Sequence, residues 1–133
     1  MADLFSPDWM KAFGEEWNKE PALTEALAKI DFNSVIAYGF DDEIEPSGVL
    51  VIEKGKVTYA GAPRAGDELN WDLRAKKKNW EKWCEKPPGM AGLGMAYTTR
   101  KLKFEIGDYG AMIKDMRMAP PFIKSFEVMG RVG

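Results

Sequence analysis

The sequence contains no histidine and one cysteine, Cys84. Without histidine there is no Ser–His or Cys–His pair to activate a nucleophile. A lone cysteine closes no internal disulfide, which fits a reducing compartment and an expected cytoplasmic location. Cys84 lies between Lys82 and Lys86, which would lower its pKa, yet it reads better as a small buried hydrophobe. Clustered metal ligands are scarce too. Asp41-Asp42-Glu43 with Glu45 is the one acidic concentration, and it reads as a solvated loop. No G-x-x-x-x-G-K-S/T loop occurs, and Gly89, Gly92 and Gly94 do not follow a strand, so no phosphate cradle is expected. No catalytic residue or metal is therefore expected, and the chain does not read as an enzyme. Apolar runs all fall short of the ~18 residues that a membrane span needs. The opening MADLFSPDWMKAF lacks a basic and then apolar leader, and MGRVG at the end carries no lipidation or sorting motif. A formal net charge of -2 and a pI near 5.3 argue against a nucleic-acid partner.

What is present is an ordinary globular mixture: 133 residues, 45% hydrophobic and 30% charged. That is one domain, residues 1–133, large enough to fold without staples. Its most informative stretch runs from Met90 to Met129. Leu102, Phe104 and Ile106 alternate there with Lys101, Lys103 and Glu105, which is a strand with one wet face. Gly107-Asp108 then turns the chain, and Asp108 caps a helix whose apolar face is Tyr109, Met112, Ile113 and Met116. Pro120 and Pro121 suit the first turn of a last helix bearing Phe122, Ile123, Phe126 and Met129.

Earlier in the chain, Ser6-Pro7 opens a helix with Trp9, Phe13 and Trp17 on one face, and Phe5 and Met10 form a hydrophobic staple. Pro21 opens a second, with Leu23, Ala26, Leu27 and Ile30 inward. Phe32–Phe40 reads as a strand. Val49–Glu53 and Lys56–Ala60 form a hairpin turned at Lys54-Gly55. Glu68–Arg74 is expected as a strand with Leu69, Trp71 and Leu73 inward and Glu68, Asn70, Asp72 and Arg74 in water. A helix through Trp80, Trp83 and Cys84 stops before Pro87-Pro88-Gly89, and a short glycine-rich helix carries Met90, Leu93 and Tyr97. The order is two helices, four strands, two helices, one strand and two helices. It predicts one mostly antiparallel sheet with helices stacked on one face.

From Gly48 to Val132 the chain resembles the sterol carrier protein-2 family of lipid-carrier domains. The residues that carry the likeness are GVLVIEKGKVTYAGA and above all KLKFEIGDYGAMIK. The family commonly reads G-K-L-K-I-x-G-D there. In this chain Arg100 stands for the glycine, and one more residue precedes Gly107-Asp108. Pro87-Pro88-Gly89, Gly92 and Gly94 also depart from the usual helix at that place. The resemblance implies an α+β fold: a five-stranded, mostly antiparallel sheet covered on one face by helices. An apolar tunnel between them would hold a sterol, fatty acid or fatty acyl chain, with no cofactor.

Six of the eight methionines, Met90, Met95, Met112, Met116, Met118 and Met129, lie in the C-terminal stretch. Composition alone reads them as either core packing or an adaptable binding surface. With the resemblance, the lipid is expected to touch Trp83, Met90, Leu93, Tyr97, Leu102 and Phe104 from the middle of the chain. Met112, Ile113, Met116, Phe122, Phe126 and Met129 would line it from the end. The run Arg74-Ala75-Lys76-Lys77-Lys78 before Trp80 and Trp83 suits transient contact with an anionic membrane or the phosphates of an acyl-CoA. Its plainer reading is a solvated helix start with both tryptophans in the core. The competing functions are a small α+β-cone isomerase or hydratase using Asp31, Asp72 or Tyr97, and an interaction module whose cavity has closed.

Overall fold

The computed structural model describes residues 3–132. Met1, Ala2 and Gly133, at the ends of the opening and tail read above, lie outside the described residues. Helix α1, Pro7–Asn18, begins where Ser6 Oγ accepts from Trp9 N at 3.3 Å, with Pro7 in the first turn. Phe5 and Met10, the two staple residues, are both fully buried. Helix α2 spans Pro21–Ala28 and is capped by Glu20. Then follow strands β1 (Ser34–Phe40), β2 (Gly48–Glu53), β3 (Lys56–Gly61) and β4 (Trp71–Ala75). Helices α3 (Lys77–Glu85) and α4 (Met90–Thr98) precede β5 (Leu102–Ile106). The chain closes with α5 (Tyr109–Lys114) and α6 (Ala119–Met129).

The five strands form one sheet in the order β3-β2-β1-β4-β5. Its pairs are antiparallel except β1 with β4, which run parallel with Tyr38 beside Leu73. Lys54 and Gly55 hold φ of 50° and 85°, the doubly left-handed two-residue turn that matches strand twist. Ile36, Tyr38, Leu50, Ile52 and Leu73 share the inner face, and α1 packs on β3 and β2. Helix α6 touches α1, α2, α3 and α5, and so ties the helical layer together. Between the layers sits an aromatic core. Phe5 stacks on Tyr38 at 5.6 Å, Tyr38 meets Trp80 at 6.1 Å, and Trp80 stacks on Phe126 at 6.0 Å. Trp80 gives its Nε1–H to Gly39 O at 2.9 Å, so its burial leaves no unpaired donor. Both tryptophans of α3 are thus core residues, while Lys76, Lys77 and Lys78 stand in water.

Two expectations are corrected. The fourth strand starts at Trp71 rather than Glu68, and its outer face is not wet: Asp72 and Arg74 are each only 4% exposed. The acidic loop after β1 folds back over that face. Arg74 Nε and Nη2 donate to the two Asp72 carboxylate oxygens at 2.6 and 3.0 Å. The same guanidinium donates to Glu43 O at 2.7 Å and Ile44 O at 3.2 Å. Gly39 permits this, because a Cβ there would lie 3.0 Å from Pro46 Cα and 3.1 Å from Arg74 Nε. The second correction is Met116. Helix α5 stops at Lys114, since Asp115 turns to extended backbone and accepts from Arg117 N at 2.9 Å. Met116 is left 88% exposed, off the helical face that its spacing suggested.

Candidate functional site

Between the sheet and the helices lies an apolar cavity. Strand β1 gives it Ile36 and Tyr38, and β4 gives Trp71 and Leu73. Trp17 of α1, Leu27 of α2 and Phe32 close one side. Met112 of α5, Met118 and three residues of α6, Pro121, Phe122 and Ser125, close the other. Room for the centre of a water-sized sphere amounts to about 40 Å³. A broader open hollow, about 490 Å³ by the same measure, adjoins it and adds Asn33, Ser34, Asn70, Asp108 and Asp115. Phe32, Trp71, Met112 and Met118 line both spaces, so the hollow is the mouth of the cavity.

The turn after β5 builds this mouth. Gly107 has φ of 111°, and a Cβ on it would sit 2.2 Å from Trp71 Cε3. Glycine is therefore required twice, for the left-handed turn and for the indole lying over it. Asp108 next to it caps α5, accepting from Ala111 N at 3.0 Å, and this places Met112 on the cavity wall.

The walls are nearly free of available polar atoms. Trp17 Nε1 donates to Gly55 O at 3.0 Å, and Ser125 Oγ donates to Phe122 O at 2.5 Å. Tyr38 is 2% exposed, and burial, the one cause acting on it, pushes its phenol pKa up. It therefore stays a neutral hydroxyl at any physiological pH. Ser34 is 6% exposed, and its hydroxyl has no hydrogen-bond partner among the described residues. At the rim, Asp115 accepts from Arg117 Nε and Nη2, both at 3.1 Å, and that bond holds its carboxyl below the usual range.

Of the residues expected to touch a lipid, the structure brings Met112 and Phe122 to the cavity wall. Tyr97, Phe104 and Tyr109 stand behind them: Tyr97 stacks on Tyr109 at 4.2 Å, and Phe104 meets Phe122 at 6.0 Å. Trp83, Leu93, Leu102, Phe126 and Met129 are buried in the core outside that lining. Ile113 is half-buried, and Met90 and Met116 face solvent. Sequence reasoning did not single out the sheet side of the cavity, Ile36, Tyr38, Trp71 and Leu73, and it counted Met118 among the soft C-terminal methionines without placing it against the lipid. The inward parity of Phe32–Phe40 and of Leu69, Trp71 and Leu73 was the available signal. Asp72 is ion-paired on the opposite face of the sheet, while Asp31 and Tyr97 do not line the cavity.

No protein-family model matches the sequence, and no curated protein matches it. Solved structures do. A crystal structure of sterol carrier protein 2 superposes with a TM-score of 0.76 at 18% identity, covering 98% of this chain and 100% of that one. The solution structure of the conserved hypothetical protein TT1886 from Thermus thermophilus, put forward as a sterol carrier protein, gives 0.60 at 17% identity, with 98% and 87% covered. UbiJ-SCP2, described as a ubiquinone synthesis protein, gives 0.58 at 14% identity, with 90% and 86% covered. The likeness spans nearly the whole chain and includes the helices flanking the cavity, so this protein has the sterol carrier protein 2-like fold.

Proposed function

We propose that the protein is a lipid carrier that holds one long apolar molecule in this cavity and transfers or presents it. The observation that carries the reading is the cavity itself, walled by apolar side chains between sheet and helices. At about 40 Å³ it has room for a few waters, given that each needs roughly 10–15 Å³ of such space. A lipid therefore enters by swinging Met112, Met118 and Phe122 aside and widening the space into a tunnel. Methionine rearranges at little cost. Ten methylenes taken from water contribute about 8 kcal/mol toward that opening. Two structural neighbours, a sterol carrier protein and a ubiquinone synthesis protein, support a role with long apolar molecules. A carrier rather than an enzyme is favoured because the inner lining holds no acid–base pair, and the same proposal places the protein in the cytoplasm.

The test is titration of delipidated protein with a fluorescent long-chain lipid, which should saturate near one equivalent. No saturable uptake would refute the reading. The exposed run Lys76, Lys77 and Lys78 supplies charge for contact with anionic membranes. Reversing all three should slow transfer to anionic vesicles more than to neutral ones, and salt should narrow that difference.

A further inference from the structure

The mouth of the cavity carries chemistry that the walls do not. Ser34 is the first residue of β1 and projects to the same inner face as Ile36 and Tyr38. Its hydroxyl is buried in the lining of the hollow and satisfied by nothing among the described residues. A buried hydroxyl without a partner is destabilising, and among the described residues this one keeps its hydrogen-bonding capacity unused. The charges that line the same hollow are carboxylates, Asp108 and Asp115, with no lysine or arginine among the lining residues. Asp115 is neutralised by Arg117, which leaves the Asp108 charge facing the space. Deeper in, the cavity lining likewise holds no lysine or arginine.

We infer that this mouth selects an uncharged lipid whose head oxygen, a hydroxyl or a carbonyl, hydrogen-bonds to the Ser34 hydroxyl, and that it disfavours carboxylates and phosphates. The inference rests on the carrier reading and narrows its ligand class. A neutral head exchanges its water partners for Ser34 while the chain fills the apolar interior. An anionic head in the same place would lose water, find no lysine or arginine among the lining residues and lie beside Asp108, which all act against the charged form.

The experiment compares dodecanol with dodecanoate at neutral pH, each displacing the same uncharged fluorescent probe from delipidated protein. Dodecanol should bind about tenfold more tightly or better, since one like charge nearby and a lost counter-ion together reach at least that size. Asp108→Asn keeps the helix cap and should narrow the gap by improving dodecanoate. Ser34→Ala should weaken dodecanol by roughly 3- to 10-fold, the range of one hydrogen bond. It should also raise the melting temperature of the empty protein, because an unpaired buried hydroxyl is gone. Dodecanoate binding as tightly as dodecanol, or Ser34→Ala leaving dodecanol unchanged, overturns the inference while leaving the carrier reading intact. Failure of probe, alcohol and acid alike to bind overturns the carrier reading, and the inference with it.

Discussion

Replacing Arg74 by methionine tests whether one buried guanidinium holds the acidic loop to the sheet. Arg74 and Asp72 have side chains 5% and 6% exposed, so solvent does little to screen them. The guanidinium reaches both Asp72 oxygens, Glu43 O, Ile44 O and, at 3.4 Å, Phe40 O. Methionine fills much of the volume but leaves the Asp72 carboxylate buried and unpaired, a loss of about 3–5 kcal/mol. Unfolding entropy near 2.1 cal/mol/K per residue gives about 0.28 kcal/mol/K for a chain of 133 residues. The melting temperature should therefore fall by roughly 11–18 °C. Urea denaturation at neutral pH should show the same loss as a lower midpoint with the slope little changed. Adding Asp72→Leu to Arg74→Met removes the stranded charge and should recover at least half of the loss. The remainder reflects loop carbonyls that turn to water. If Arg74→Met cost less than about 1 kcal/mol, the value of an exposed pair, the pair would not hold the loop and this reasoning would fail.

Phe126 is 1% exposed and surrounded by the rings of Trp80, Trp83 and Phe122, so Phe126→Ala should cost about 3–5 kcal/mol. Its lipid-induced rise in melting temperature should match that of the parent, and a clearly smaller rise would put the ring in contact with ligand. Arg100 holds φ of 62°, a left-handed conformation at the position where the related motif carries glycine. Arg100→Gly should stabilise by about 0.5–1 kcal/mol in urea melts, the left-handed penalty less the entropy glycine gains on unfolding; a loss would refute it. Burial, then Glu81, pushes the Cys84 thiol up to about 11 from an ordinary 9.0. The unfolded thiol ionises first, so this contribution is intact below pH 9 and is lost as pH rises from 9 to 11. Parent protein should lose more stability than Cys84→Ser between about pH 8 and pH 10.5, and equal losses would show that the thiol does not titrate differently on folding.

The elements and their order are legible in the chain before it folds. Local signals decide these: Ser6-Pro7 and Asp108 as helix starts, Lys54-Gly55 as a tight turn, alternation at Leu102–Ile106, Pro87-Pro88 as a break. Each is settled within a few residues by dihedral preference, capping or periodicity. So is the soft apolar character of the C-terminal helices, from which Met112 and Phe122 reach the cavity. Tertiary structure alone decided which apolar residues line space and which fill it. Phe122 and Phe126 look alike on one helical stripe, yet one faces the cavity and the other is enclosed by tryptophans from α3. Periodicity reports which face is buried, and what buries it depends on partners distant in sequence. The same holds for Asp72 and Arg74, whose alternation predicts a wet face until a loop from residues 41–47 folds over them. Ser34 shows it most plainly. A serine at a strand start carries no signal in sequence, and only the tertiary structure leaves its hydroxyl buried beside the hollow with no partner among the described residues.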